Sequence, residues 1–188
     1  MKLVVTEYLS LDSIMEDPIW IGPYIDDSFL KFKFEELMAA DILLMGRKTY
    51  EYFVPVWASE EPVEDAPGQE GFAERVEQMP KHVVSKTLET TTWNNSHVMG
   101  ENFIEAIRIL KQKPGRNILV AGSATLLQTL MQLDLVDEYR FLIFPVIVGQ
   151  GKRLFDAQTT TALELTSFEK FSSGVIAVTY RPKQESTK

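Results

Sequence analysis

The chain has no cysteine among its 188 residues. That excludes a disulfide framework, a thiolate metal centre and a thiol nucleophile. Its only histidines, His82 and His97, are too few for a histidine-built metal site. No run of about 18 apolar residues occurs, so no membrane-spanning helix is expected. The opening MKLVVTEYLSLDS turns polar too soon after Val5 to read as a secretory signal, which leaves a cytoplasmic protein as the expectation. Basic residues are in the minority, 19 Lys and Arg against 27 Asp and Glu, for a formal charge of −8. A nucleic-acid protein needs a net basic face, so that class is excluded. No repeat is found, which removes solenoids and propellers. Hydrophobic residues make up 45% of the chain, enough to build a core rather than leave it disordered. The length fits one domain, 1–182, with a polar tail at 183–188.

Hydrophobic spacing divides the chain into alternating elements. Lys2–Tyr8 is β-rich, and Leu9–Asp12 continues it into a loop. Pro18 to Pro23 reads as loop. Asp26, Asp27 and Ser28 are helix-start residues, and Leu30, Phe34, Leu37 and Met38 then form a helical stripe over Phe29–Ala39. Asp41–Gly46 is a continuous apolar run, the mark of a strand covered on both faces. Lys48–Trp57 reads as a helix that Pro55 ends or kinks. Ser59–Gly71 is acidic and rich in Pro and Gly, an exposed loop. A helix at Phe72–Met79, strands at His82–Ser85 and His97–Met99, and a helix capped by Asn102 follow. Asn117–Ala121 is a strand that turns through Gly122-Ser123 into a helix carrying Leu126, Leu127, Leu130 and Met131. Glu138–Val148 is a long β run with a strand end or bulge at Pro145. Ala162–Lys170 and Gly174–Tyr180 close the chain as a hairpin. The pattern predicts an α/β sandwich with a mostly parallel sheet and an antiparallel edge. In such sheets ligands bind beyond the carboxyl ends of the strands.

Three strand ends carry groups suited to anions. Met45-Gly46-Arg47-Lys48-Thr49-Tyr50 runs a buried strand into a glycine, two cations and a hydroxyl before a helix starts. Arg47 adds a planar fork for phosphate oxygens. Val83-Val84-Ser85-Lys86-Thr87 delivers a hydroxyl, an ammonium and a second hydroxyl, equipment for a further phosphate. Leu119-Val120-Ala121-Gly122-Ser123-Ala124-Thr125 ends a strand on small residues at a helix N-terminus, where the dipole favours a pyrophosphate. Neither the Walker frame nor the G-x-G-x-x-G fingerprint is present. Taken singly, each stretch is also an ordinary turn. One elongated polyanion lying across the sheet edge accounts for all three.

These stretches, with Leu9-Ser10-Leu11-Asp12, Leu135-Val136-Asp137-Glu138-Tyr139 and Pro145-Val146-Ile147-Val148-Gly149-Gln150-Gly151-Lys152-Arg153-Leu154-Phe155, occur in an order that resembles the dihydrofolate reductase-like superfamily. The resemblance is closest to stand-alone relatives of the C-terminal reductase domain of the bacterial riboflavin-biosynthesis deaminase–reductase. It implies a dihydrofolate reductase-like three-layer α/β sandwich, NADPH as cofactor and reduction of a small heterocyclic substrate. By that pattern Gly46, Arg47 and Thr49 hold phosphate, Ser85 and Lys86 read the adenosine 2′-phosphate, and Gly122, Ser123, Ala124 and Thr125 cradle the pyrophosphate. The Asp12 loop lies near the nicotinamide, which makes Asp12 a candidate proton donor. Gly149 and Gly151 pass close to the substrate or a dimer contact. Three positions depart from the family's habit: Ser13 replaces a glycine, and Ala121 and Ser123 stand where the riboflavin-pathway enzymes tend to carry a Glu and a glycine.

Glu7 also reaches the crevice from the first strand, and a carboxyl in an apolar pocket can donate a proton. Trp20, Tyr24, Trp57 and Trp93 are candidates to wall a flat ring. A homodimer is expected from the long β run and terminal hairpin. Two rival readings use the same residues: a non-catalytic nucleotide- or flavin-binding protein on this fold, and an interaction protein whose turns are only turns.

Overall fold

In a computed structural model the described residues are 1–58, 64–155 and 160–183. Eight strands form one sheet in the order β4-β3-β2-β5-β1-β6-β8-β7. Strands β1 (Lys2–Ser10), β2 (Ala40–Gly46), β3 (Lys81–Val84), β4 (Ser96–Met99), β5 (Asn117–Ala121) and β6 (Glu138–Phe144) are parallel. Strands β7 (Leu163–Lys170) and β8 (Ile176–Pro182) add the antiparallel edge. Helices α1 (Asp27–Met38), α2 (Arg47–Trp57) and α3 (Phe72–Gln78) pack on one face of the sheet, where Leu37, Tyr50 and Val76 meet Val4, Leu43, Met45 and Leu119. Helices α4 (Phe103–Gln112) and α5 (Ala124–Gln132) cover the other, where Ile107, Leu127 and Leu130 meet Leu3, Val5, Leu44 and Val120. Burial of both faces accounts for the unbroken apolar runs of β2 and β5.

The elements lie close to where the spacing puts them, with three corrections. Pro55 neither ends nor interrupts α2 at its position; the helix continues to Trp57. The β run from Glu138 stops at Phe144, because Pro145 has no N–H to add to the ladder. Pro18–Tyr24, expected as loop, is a short 3-10 helix started by Pro18. The expected stripe on α1 is also rotated. Phe29, Glu36 and Leu37 are its buried residues, so one carboxylate replaces part of the apolar face. Asn102 holds the N-cap position of α4 without a side-chain cap bond. The acidic stretch 59–63 and the tail 184–188 lie outside the described residues.

One cation marks the far side of the sheet. Lys81, at the start of β3, is fully buried. Its ammonium donates to the carbonyls of Glu77, Met79 and Asn94 at 2.7–3.0 Å and lies 4.5 Å from the centre of the Trp93 ring. All three donors are committed, so this lysine ties α3, β3 and the Trp93 loop together and is not free for a ligand.

Candidate active site

Strands β2 and β5 are neighbours and parallel, yet the helices that follow them leave to opposite faces of the sheet. Such a reversal opens a cleft beyond the strands' carboxyl ends. A cavity of about 900 Å³ occupies this cleft. Gly46, Arg47, Thr49, Ser85, Lys86, Gly122, Ser123, Ala124 and Thr125 all line it. The three turns singled out in the sequence therefore converge on one space.

Their geometry joins them directly. The N-cap positions of α2 and α5 are Gly46 and Ser123, and neither supplies a side-chain cap. The first-turn N–H groups of both helices are left without intrahelical partners, aimed where an anion is favoured. The Ser123 hydroxyl is spent between the turns: it accepts from the Gly46 N–H at 2.7 Å and lies 2.6 Å from Thr49 Oγ1. Gly122 takes φ 62°, and a Cβ on it would fall 2.9 Å from Thr49 Oγ1, so both conformation and space call for glycine. Ser123 itself takes φ 71°, a left-handed conformation that costs a side-chain-bearing residue on the order of 1 kcal/mol. Ser85 is buried and accepts from the N–H groups of Thr87 and Leu88 at 3.1 and 2.9 Å. It shapes the turn that presents Lys86, which is exposed and has no ion pair among the described residues. Arg47 is half-exposed beside Glu51 at 3.2 Å. Lys152, which the sequence did not single out, reaches in from the long loop after β6 and donates to Thr125 Oγ1 at 2.7 Å.

The opposite end of the cavity is buried and charged. Thr6, Glu7 and Tyr8 from β1 and Lys33 and Glu36 from α1 line it. Lys33 Nζ donates to Glu36 Oε2 in a short contact and to Thr6 Oγ1 at 3.2 Å, and lies over the Tyr8 ring. Glu36 is also paired with Arg140 of β6 at 3.7 Å; Arg140 in turn meets Glu138 at 2.7 Å, and Glu138 meets Arg181 of β8 at 3.2 Å. Glu7 is 4% exposed, and its Oε1 is buried with no hydrogen-bond partner. Burial pushes its carboxyl well above the usual carboxylate range; the Lys33 ammonium opposes this and Glu36 reinforces it. Burial, the largest single influence, lowers the Lys33 pKa, but Glu36, Tyr8 and Glu7 together outweigh it and the pKa is raised.

Asp12 does not line the cavity. Its carboxylate accepts from Ser10 Oγ at 2.7 Å and from the N–H groups of Val148 and Gly149 at 3.1 and 2.9 Å. The Ser10 bond, then those of Val148 and Gly149, hold its pKa down at about 2. These bonds make Asp12 a brace between the first loop and the segment after β6. Gly149 and Gly151 also stand outside the cavity lining. Gly149 serves Asp12, and Gly151, at φ 132°, passes where a Cβ would fall 2.8 Å from Ile14 Cγ2. These contacts, with the bridge between Ile14 and Arg153, bind the first loop to the segment after β6. The braced loop presents Met15, Glu16 and Asp17 to the cavity.

Among the aromatic candidates, Trp57 and Trp93 line the cavity. Trp20 and Tyr24 pack edge-on against Phe144, 5.4 and 5.8 Å between ring centres, and belong to the α1–β6 core. His82 and His97 face each other across β3 and β4 at 6.0 Å, away from the cavity. Among the described residues no cluster of three or more His, Asp or Glu could hold a metal, and no helix is long and apolar enough to cross a membrane.

Comparison with known proteins agrees with this architecture. The model of the RibD C-terminal domain matches residues 1–177. The uncharacterized protein YyaP of Bacillus subtilis (strain 168) is 34% identical over 141 residues, 74% of this chain and 73% of that protein. The dihydrofolate reductase of Enterococcus faecalis complexed with NADP(H) superposes with a TM-score of 0.65 at 14% identity, over 97% of both chains. The Thermotoga maritima diaminohydroxyphosphoribosylaminopyrimidine deaminase/5-amino-6-(5-phosphoribosylamino)uracil reductase superposes with a TM-score of 0.66 at 18% identity, over 97% of this chain and 56% of that one. The fold is thus dihydrofolate reductase-like.

Proposed function

We propose, from the premise that this chain belongs to the RibD C-terminal domain family, that it is an NADPH-dependent reductase of a small heterocyclic substrate. The reaction resembles the 5-amino-6-(5-phosphoribosylamino)uracil reductase step named for the Thermotoga maritima enzyme. The observation that carries this reading is the convergence of two uncapped helix N-termini and three cations, Arg47, Lys86 and Lys152, on one 900 Å³ cavity. The donor set fits the cofactor: Arg47, Lys86 and Lys152 carry positive charge and the first turns of α2 and α5 offer N–H groups, as a pyrophosphate and a 2′-phosphate require. Gly122 through Thr125 take the pyrophosphate, Gly46, Arg47 and Thr49 a neighbouring phosphate, and Ser85 and Lys86 the 2′-phosphate.

When bound, NADPH supplies the hydride; the chain supplies placement and charge. The Met15–Asp17 loop, braced through Asp12, closes one side of the cavity. Trp57 and Trp93 offer apolar walls for a ring. The protein works in the cytoplasm as a homodimer, for which the edge strand β7 is the surface: it is exposed along Glu164–Lys170 and turns Leu165 and Phe168 outward. A protomer mass by light scattering at high concentration excludes the dimer.

The decisive experiment is a binding titration of NADPH and NADH against wild type and Lys86→Ala. Wild type binds NADPH more tightly than NADH, and Lys86→Ala loses about tenfold for NADPH, roughly 1.4 kcal/mol, with little change for NADH. Absence of any NADPH binding, including any rise in thermal stability at millimolar NADPH, removes the cofactor reading. Equal losses for both cofactors remove the role given to Lys86.

A further inference from the structure

Among the described residues, Glu7 is a buried carboxyl lining this cavity that forms no ion pair and leaves Oε1 without a hydrogen-bond partner; Glu36 Oε1 also lacks a hydrogen bond but is ion-paired with Arg140. Asp12 is spent on loop bonds and Glu36 on Lys33 and Arg140. Glu7 lines the cavity, is nearly inaccessible from outside, and has a buried oxygen with no hydrogen-bond partner. A buried polar atom left without a partner is costly and marks a place where a ligand supplies the missing bond.

We propose that Glu7 is the acid that protonates the substrate ring, at the nitrogen of a C=N bond. This rests on the reductase reading above. The floor argues for the substrate class by what it offers. Protonated, Glu7 offers one O–H, which a ring nitrogen accepts. The charged groups that act on Glu7 through space are Lys33 and Glu36 from α1, where Lys33 contacts Thr6 and Tyr8 on either side of it in β1, with Arg140 of β6 paired to Glu36. Burial raises the Glu7 pKa well above the usual carboxylate range, with the Lys33 ammonium opposing the rise and Glu36 reinforcing it.

In the reaction the substrate C=N π bond breaks. Its carbon gains a C–H bond with the electron pair of a hydride from the reduced nicotinamide, and its nitrogen gains an N–H bond with the proton of Glu7. The nicotinamide is oxidised, the ring is reduced by two electrons, and Glu7 is left as a carboxylate that water reprotonates.

The test has two arms. In the first, infrared spectra of the protein alone are recorded across pH for wild type and Glu7→Gln. The C=O stretch of a protonated carboxyl is expected in wild type at pH 7 and absent from E7Q; its absence from wild type overturns the proposal. In the second, NADPH oxidation is followed with a panel of pterin, dihydropterin and aminopyrimidinedione probes, using wild type, E7Q and Glu7→Asp. E7Q is expected to bind NADPH within about twofold of wild type and to reduce the accepted probe about 100-fold or more slowly. E7D is expected to recover part of that loss. The wild-type rate falls as alkaline pH ionises Glu7, whereas the residual E7Q rate shows no such fall. If E7Q reduces a probe as fast as wild type with the same pH profile, Glu7 loses its role and the reductase reading stands. If NADPH does not bind, or binds and no probe is reduced, the reductase reading fails and takes this proposal with it.

Discussion

The rim of the cavity and its floor hold charge in opposite ways. On the rim, Arg47 and Lys86 stand in water, and the remaining positive character comes from backbone N–H groups at two helix starts. Those groups belong to turns contiguous in sequence, and no single one is needed for folding. On the floor, Lys33 and Glu36 are mostly buried and paired with each other, and Arg140, itself held by Glu138 outside the cavity lining, pairs with Glu36 from β6. Water screens the rim, so its charges are worth little until a ligand covers them. The floor has no such screen, so its charges must balance before any ligand arrives. The rim is built for affinity and the floor for a fixed protonation pattern.

The sharpest way to break this comparison is to unbalance the floor. Glu36→Ala leaves Lys33 and Arg140 buried without their shared carboxylate, and a loss of about 3–5 kcal/mol is expected in denaturant unfolding. The double variant Lys33→Met/Glu36→Leu removes both charges and should recover much of it. A cost for E36A as small as that of an exposed pair would mean the floor is wetter than its burial implies.

A smaller effect is expected from the rim's own strained point. Gly122→Ala puts a Cβ against Thr49 at a backbone conformation that alanine disfavours. The expected cost is about 1–3 kcal/mol in stability, together with weaker NADPH binding, because the α5 amides shift when the turn does. Lys86→Ala, in contrast, should leave stability unchanged. If G122A lowers stability and leaves NADPH affinity intact, the turn is structural and the pyrophosphate lies elsewhere.

The same contrast explains what was legible in the sequence. Strands β2 and β5 were readable because both faces are covered and the apolar runs are continuous. The rim was readable because each turn is contiguous: glycine, hydroxyl and cation follow one another within a few residues, and their convergence follows from the strand order. The floor was not readable. Lys33 and Glu36 sit among the apolar positions of α1, where helical spacing alone takes the buried stripe to be Leu30, Phe34, Leu37 and Met38. A cation and a carboxylate three apart on that face were the available signal, but their partners, Thr6 on β1 and Arg140 on β6, become neighbours only when those strands pair. The bracing role of Asp12 was hidden for the same reason. Its acceptor role depends on the N–H groups of Val148 and Gly149, which nothing near it in the chain announces.

The smallest effect, and the one that isolates the comparison best, lies within the first strand and its loop. Glu7 and Asp12 belong to one short segment, yet their environments push them in opposite directions. Asp12 binds its proton more weakly folded than unfolded. Its contribution is present above its unfolded value of 3.8 and is lost as pH falls through about 2. Glu7 binds its proton more strongly folded, so the stability it influences is highest below its unfolded value of 4.5 and declines as pH rises toward its elevated folded value. Asp12→Asn should therefore flatten the acid side of the stability curve and expose the Val148 and Gly149 amides to faster hydrogen exchange, while E7Q removes the decline that begins as pH rises above 4.5. Because Asp12 lies at the surface, its slope should be shallow, and exchange of those two amides is the more sensitive measurement. Slopes of the same sign in both variants would show that the floor and the loop share one electrostatic environment, and the separation of cavity acid from loop brace would fail.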